Sequence, residues 1–453
     1  MASNGPKPKA GSFTSTPSTP SSGRRAIRGR SKSAAVRRLP YAERVRLARR
    51  QGHMRLAFLL LGCLGVVLLM VLAATRAHAG PTARSLRHAR AVKRSSGLPF
   101  PSSSGAGLRP GPNLTPWSDP SVLPGDVLIA DEGNNRLLIV SPTGKILWQF
   151  PGPRGLPPGS TFRSPDDALF TANGQDIVAT EETDQVVSLI SVAKERFLWR
   201  YGTPGIPGAS ANHLDNPDDA MMLPDSNLLL ADIKNCSILL VHSGMTRPLE
   251  RIGIQDSFCL HDPPYRFGSP NGAFPLTNGN YLVTEINGDW VDEINLQGQL
   301  LWSTHPPGVA YPSDTNEISP GVFLTVDYST PGQVVEFNRT GKLLWRYGPR
   351  SGPGMLRTPS LCEPIPTNGD ILCNDDGNDR VIVISPRTDR IVWQYGHTGI
   401  PGQKPGYLSG PDGVDLAPPY SMVVRHAASM GLPTLHCASG LPQGACTIFR
   451  NGG

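Results

Sequence analysis

The chain has 453 residues, including 49 glycines and 46 prolines, and a formal charge of +7. That much Gly and Pro suits many tight turns between short strands and argues against a helical protein. Of 43 Lys/Arg and 36 Asp/Glu, 21 and one lie before Asp119, leaving 22 against 35; the acidic remainder lacks the basic footprint of a nucleic-acid binder.

Residues 1–55 are rich in Ser, Pro, Gly, Lys and Arg and too poor in apolar side chains to fold alone. This reads as a disordered basic tail on the cytoplasmic side. Leu56 to Thr75 is an uncharged apolar run long enough to span a bilayer as a helix. Fourteen Lys/Arg precede it and six follow between Arg76 and Arg94, an excess that puts the amino terminus inside. The expectation is a single-pass signal anchor in the cell membrane with everything after it extracytoplasmic. Ala77-His78-Ala79 before Gly80 resembles a signal-peptidase site, and the alternative is secretion after cleavage near Ala79. Residues 76–118 form a Ser/Gly/Pro/Arg linker.

From Gly125 to Val424 a unit of about fifty residues recurs six times, the period of a β-propeller blade. The openings are Pro165-Asp166-Asp167, Pro217-Asp218-Asp219, Pro270-Asn271-Gly272, Pro312-Ser313-Asp314, Pro359-Ser360 and Pro411-Asp412-Gly413. In the first unit Asp126–Ala130, Arg136–Val140 and Lys145–Phe150 read as strands. Turn residues recur between the inner two strands of each later blade: Asn173-Gly174, Asp225-Ser226, Asn278-Gly279, Pro320-Gly321 and Asn368-Gly369. The first unit lacks an innermost strand, and the segment after Pro411 supplies one. The fold class is therefore all-β, a six-bladed propeller of four-stranded antiparallel blades over 119–424, closed by the C-terminal strand, with residues 425–453 as a tail. Trp148, Trp199, Trp302, Trp345 and Trp393 share one repeat position, where the third blade has Glu250. One ring per blade is expected to wedge adjacent sheets together.

Six cysteines lie outside the apolar run, an even number that suits disulfides in an oxidising compartment. Cys362 and Cys373 flank the turn at Asn368-Gly369 and should face each other across two strands. Cys437 and Cys446 could close a small loop in the tail, which leaves Cys236 and Cys259 to pair.

Asp131-Glu132-Gly133-Asn134-Asn135-Arg136-Leu137 and Asp375-Asp376-Gly377-Asn378-Asp379-Arg380-Val381 resemble the core of NHL-repeat propellers. Gly and Asn there would tolerate left-handed backbone, and the Arg can reach acids of the same turn. Gly144-Lys145-Ile146-Leu147-Trp148 and Gly341-Lys342-Leu343-Leu344-Trp345 are similar to repeats of PQQ-type propellers and of bacterial arylsulfotransferases. The likeness implies architecture more than activity. PQQ is not expected, because six blades with scattered Trp do not reproduce the eight-bladed cofactor site.

A propeller's ligand sits at the mouth of the axial channel. The second and fourth residues after each opening proline share a strand face and include Asp167, Asp219, Asp314, Asn316, Glu363 and Asp415. Converging carboxylates repel unless protonated, hydrated or bridged by a cation, and oxygen-only ligands suit Ca²⁺ or Mg²⁺. Lactonase-like propellers are similar in placing a divalent ion on such acids. The competing reading is that these acids hydrogen-bond the inter-blade loops. His213, His261, His305 and His397 fall in the connections between blades, on the same rim; with the acids they could do acid–base work or bind a metal. Arylsulfotransferase-like enzymes use a channel histidine, and no innermost strand here opens on one. The expected function is a binding module presenting its rim to a protein or glycan. The alternative is a metal-assisted hydrolase or lyase, or an arylsulfotransferase-like enzyme, built on the same acids and histidines.

Overall fold

The computed structural model describes residues 98–99, 104–254, 258–429, 435–437 and 446–448, without the side chains of 427–429 and of the last two segments. The basic tail and the apolar run Leu56 to Thr75 lie outside the described residues. Among those described, no helix is long and apolar enough to cross a membrane.

Glycine and proline punctuation cuts the repeat region into six four-stranded antiparallel sheets. Blade one is Val127–Asp131, Arg136–Val140 and Ile146–Phe150, completed on the inside by Pro411–Leu416. That closing strand pairs antiparallel, Val127 opposite Leu416 and Ile129 opposite Val414, so the ring has no open edge where its ends meet. The other innermost strands are Pro165–Phe170, Pro217–Met222, Pro270–Pro275, Pro312–Ser319 and the short Cys362–Pro364. The expected blade count and closure are both present. Glycines of the inner turns adopt positive φ, +66° at Gly174 and +75° at Gly369, which a side chain resists.

Apolar clusters fill the spaces between sheets. Each Trp of the repeat position donates its indole N–H to the following blade: Trp148 to Val192 O, Trp199 to Met245 O, Trp302 to Arg339 O, Trp345 to Asp389 Oδ1 and Trp393 to Pro142 O. The last of these crosses the seam between blades six and one. The tryptophans are inter-blade wedges with a polar tether.

A second device recurs in all six blades. The acid ending each second strand accepts the backbone N–H two residues ahead of an opening proline. Asp131 takes Ser409 N, Glu181 Arg163 N, Asp232 Asp215 N, Glu285 Gly268 N, Asp327 Ala310 N and Asp375 Arg357 N. Buried carboxylates need compensation. Arg136 reaches Asp131 at 2.6 Å, Arg200 Glu181 at 2.8 Å, Arg251 Asp232 at 3.3 Å and Arg380 Asp375 at 2.7 Å. In blade five the Gln333 amide serves Asp327 at 2.9 Å. The turns at 131–137 and 375–381 follow this scheme with one difference from expectation. The left-handed residue is Asn135 or Asp379, not the glycine. Gly133 is small because a Cβ there would lie 2.8 Å from Ser409 O.

Disulfides join Cys236 to Cys259 and Cys362 to Cys373. Leu435–Cys437 pairs with Cys446–Ile448, placing Cys437 opposite Cys446. A short helix not anticipated from sequence, Met422–Ser429, follows the closing strand. It touches non-adjacent blades of the ring: Arg425 pairs with Glu363 of blade six at 2.7 Å, and His426 stacks on Phe274 of blade four. With Met422, Val423, Leu169, Met221 and Phe274 in one buried cluster, the helix closes the far end of the axis.

Candidate functional site

Asp167, Asp219 and Asp314 project from three inner strands to one point, each offering an oxygen within 4.8 Å of the others, and all three are buried. The second position holds Gly272 in blade four and Gly413 in blade one. A Cβ on Gly272 would lie 2.9 Å from Asp314 Oδ1, 3.0 Å from Asp219 Oδ2 and 3.3 Å from Thr284 Oγ1. One on Gly413 would lie 2.8 Å from Asp167 Oδ1. Glycine there leaves the carboxylates their room. Asp167 Oδ1, both oxygens of Asp219, both of Asp314 and Thr284 Oγ1 have no hydrogen-bond partner among the described residues.

Burial, and then the charge of Asp314, pushes Asp167 and Asp219 well above the usual carboxylate range. Asp314 is raised to about 6, chiefly by burial, with the Asp219 contact working against the shift. The strongest charges acting on the three are carboxylates. Three anions stripped of water and given no cation cannot all stay ionised. They take up protons or they take up a metal, and the donor set is hard oxygen.

A second tier of acids stands above the first. Asp166, Asp218 and Asp412 follow the opening prolines directly, while Glu132, Glu182 and Asp376 follow the second strands of blades one, two and six. Asp166 and Asp376 both contact Asp412 and are raised well above the carboxylate range, first by burial and then by Asp412's charge. Burial, with Asp412 and Glu182 nearby, holds Glu132 at about 7. The same post-strand position carries Ile233, Ile286 and Tyr328 in blades three to five. Tyr328 packs against Tyr311, ring centroids 5.4 Å apart. Burial and then Asp412's charge push the Tyr328 hydroxyl up, so these tyrosines face the acids across the mouth. At this post-strand position the rim is acidic in blades one, two and six and apolar or aromatic in blades three to five, with Asp218 the second-tier acid of blade three.

The remaining axial candidates lie elsewhere. Glu363 Oε1 accepts Leu416 N at 2.9 Å and Oε2 pairs with Arg425; Asp415 accepts Met422 N and Phe170 N, both at 2.8 Å. All four oxygens are occupied, two of them in seating the helix. Asn316 donates to Cys362 O at 3.4 Å, and its Oδ1 is buried without a partner among the described residues. The histidines do not join the axial acids. His213 bonds Ser210 Oγ at 2.9 Å within its own connection, and His397 packs on Tyr407. His261 and His305 both pack on Trp290. Sequence reasoning passed over Asp166, Asp218, Asp376, Asp412, Glu132 and Glu182, although the doubled acids in Pro165-Asp166-Asp167 and Pro217-Asp218-Asp219 were a readable signal.

No protein-family model matches the chain, and no curated protein matches it by sequence. Among solved structures it is similar to a protein of unknown function from Bacteroides caccae, with 20% identity, 64% of this chain and 97% of that chain covered, and TM-score 0.46. It is also similar to a streptogramin B lyase, with 14% identity over 72% and 91% of the two chains and TM-score 0.45. A third is the WD40 propeller domain of Doa1, with 10% identity over 60% and 79% and TM-score 0.40. At such scores these likenesses carry no argument about chemistry, which rests on the residues themselves.

Proposed function

We propose that the axial mouth holds a hard divalent cation, Ca²⁺ or Mg²⁺, and that the protein is a cation-dependent binding module at the cell envelope. In this reading the apolar run Leu56 to Thr75 anchors the chain and the propeller stands outside the membrane. The observation that carries the site is the triad Asp167, Asp219 and Asp314, buried and convergent, with five of its six carboxylate oxygens lacking a close hydrogen-bond donor among the described residues. An ion there neutralises the three anions and keeps coordination positions open toward the mouth. Acids of the second tier repel an anionic ligand, and the Tyr311–Tyr328 pair offers an aromatic face. Together they favour the hydroxyls of a neutral glycan over an acidic protein segment. Calorimetric titration of the full-length protein with Ca²⁺ and Mg²⁺ tests the site; no heat at millimolar ion sinks it. Glycan binding that survives chelation sinks the cation dependence.

One observation favours the enzymatic alternative, a metal-assisted hydrolase or lyase. Glu132 stands at the entrance with its carboxyl held at about 7, where a side chain both gives and takes protons efficiently. Turnover that needs the divalent ion and falls sharply in Glu132→Gln would establish it.

A further inference from the structure

Blade four lacks the Arg or Gln side chain by which the other blades serve the acid ending their second strand. The two repeat positions that supply guanidinium groups, held by Arg136 and Arg380 or by Arg200 and Arg251, carry Trp290 and Ser303 in blade four. The third strand adds another acid, Asp292, where its counterparts are Leu138, Ser188, Leu239, Val335 and Ile382. Glu285 and Asp292 are both 0% exposed. Two buried carboxylates thus occupy a place where one normally needs an arginine.

The nitrogen that meets them is His261 Nδ1, 3.0 Å from Glu285 Oε2 and 3.4 Å from Asp292 Oδ2. It arrives from the preceding connection, which the Cys236–Cys259 disulfide pins two residues earlier. Its ring stacks on Trp290 at 4.4 Å and 17°. The carboxylates are held as firmly: Gly268 N donates to Glu285 Oε2 at 2.6 Å and Ser303 Oγ to Asp292 Oδ1 at 2.5 Å. Glu285 Oε1 remains buried with no hydrogen-bond partner among the described residues.

We infer that His261, Glu285 and Asp292 form a binding site for a divalent transition ion of the zinc class, distinct from the axial mouth. Tetrahedral bonds of about 2.0–2.1 Å place ligand atoms about 3.3 Å apart, which the two distances from His261 Nδ1 bracket. An imidazole among the carboxylate donors favours zinc or cobalt over calcium and magnesium. The ion does the guanidinium's work, neutralising the strand-end acid and clamping the inter-blade connection to the sheet.

Co²⁺ is the probe, added to the full-length protein with excess Ca²⁺ present to saturate the axial triad. Expected are visible d–d absorption at one equivalent and a change in Trp290 emission, assigned by difference from Trp290→Phe. Both should persist in Asp219→Asn. Affinity should fall at least about tenfold in His261→Ala and in Asp292→Leu. Leucine is what blades one and three carry at the latter position, so the fold has a place for it. If Asp292→Leu nonetheless fails to fold, His261→Ala, on a partly exposed side chain, gives the same reading. Co²⁺ binding that is unchanged in His261→Ala, or that disappears in Asp219→Asn, overturns the site. Either result leaves the axial reading standing, because that one is decided by Ca²⁺ heat.

Discussion

Replacing Asp314 by Asn should stabilise the cation-free protein and abolish its response to calcium. Asp314 moves from an ordinary 3.8 to about 6 on folding. At about 1.36 kcal/mol per pH unit, that shift represents about 3 kcal/mol. The folded state binds this proton more tightly than the unfolded chain. The stabilisation it brings is therefore fully present below pH 3.8 and is lost as pH rises through about 6. Above that, the cation-free protein carries the whole penalty unless an ion offsets it.

A folded unit on the order of 330 residues unfolds with an entropy of about 0.7 kcal/mol per kelvin, so about 3 kcal/mol is about 4 °C in Tm. Calcium at a hundred times its dissociation constant contributes about 2.7 kcal/mol, a similar shift. Differential scanning calorimetry at pH 5 and pH 7.5, in chelator and in Ca²⁺, separates the cases. In chelator the wild type should melt higher at pH 5 than at pH 7.5, and Ca²⁺ should restore the difference at pH 7.5. Asp314→Asn should melt about 4 °C above wild type in chelator at pH 7.5 and ignore Ca²⁺. A variant that melts at or below wild type in chelator, and still gains from Ca²⁺, refutes the argument that these anions are uncompensated.

The seam between blades six and one offers two further tests by thermal melting. Trp393, 0% exposed and bonded to Pro142 O across the seam, should cost about 3–5 kcal/mol on replacement by Ala; Trp345→Ala, at a partly exposed ring, should cost clearly less. A chain ending before Pro411 loses the strand that pairs with Val127–Asp131 and should aggregate or be cut readily by protease, with a soluble cooperative product counting against the closure.

Why some of the site was legible and some not comes down to one local irregularity. The blade count, the closing strand and the tryptophan wedges all rest on a repeat that sequence displays directly. The axial acids were sought by strict alternation, second and fourth after each proline. Four inner strands shift register just after that proline, between Pro165 and Ala168, Pro217 and Ala220, Pro270 and Gly272, and Pro312 and Thr315. A bulge re-aims side chains, so adjacent acids both turn toward the mouth, and Asp166 and Asp218 join Asp167 and Asp219. The fourth position fails for a simpler reason. Two residues of strand carry it about 6.6 Å farther along the axis, which takes Glu363 and Asp415 to the helix. The helix itself is only eight residues long and depends on partners distant in sequence, so no local pattern announces it. The Glu285–Asp292 pair looks like any strand acid until its neighbours prove to lack an arginine.

The repeat also serves as its own reference, because six copies under one architecture show which acids merely hold the ring together. An acid present in every blade, clamping a backbone N–H and paired with Arg or Gln in all but blade four, is structural. Acids confined to a few blades are not explained by the ring. By that standard the mouth is specialised on one side only. Glu132, Glu182 and Asp376 line blades one, two and six, and Ile233, Ile286 and Tyr328 line blades three, four and five. A small ligand seated over the axis meets charge on one flank and apolar surface on the other. Only one rotation about the propeller axis satisfies both, so the lost sixfold symmetry would orient a ligand relative to an ion bound at the triad. Exchanging the flanks, with Ile233 and Ile286 made acidic and Glu132 and Glu182 made apolar, should leave Ca²⁺ heat nearly unchanged while glycan binding is lost. Unaltered glycan binding in that variant would mean the rim plays no part in recognition.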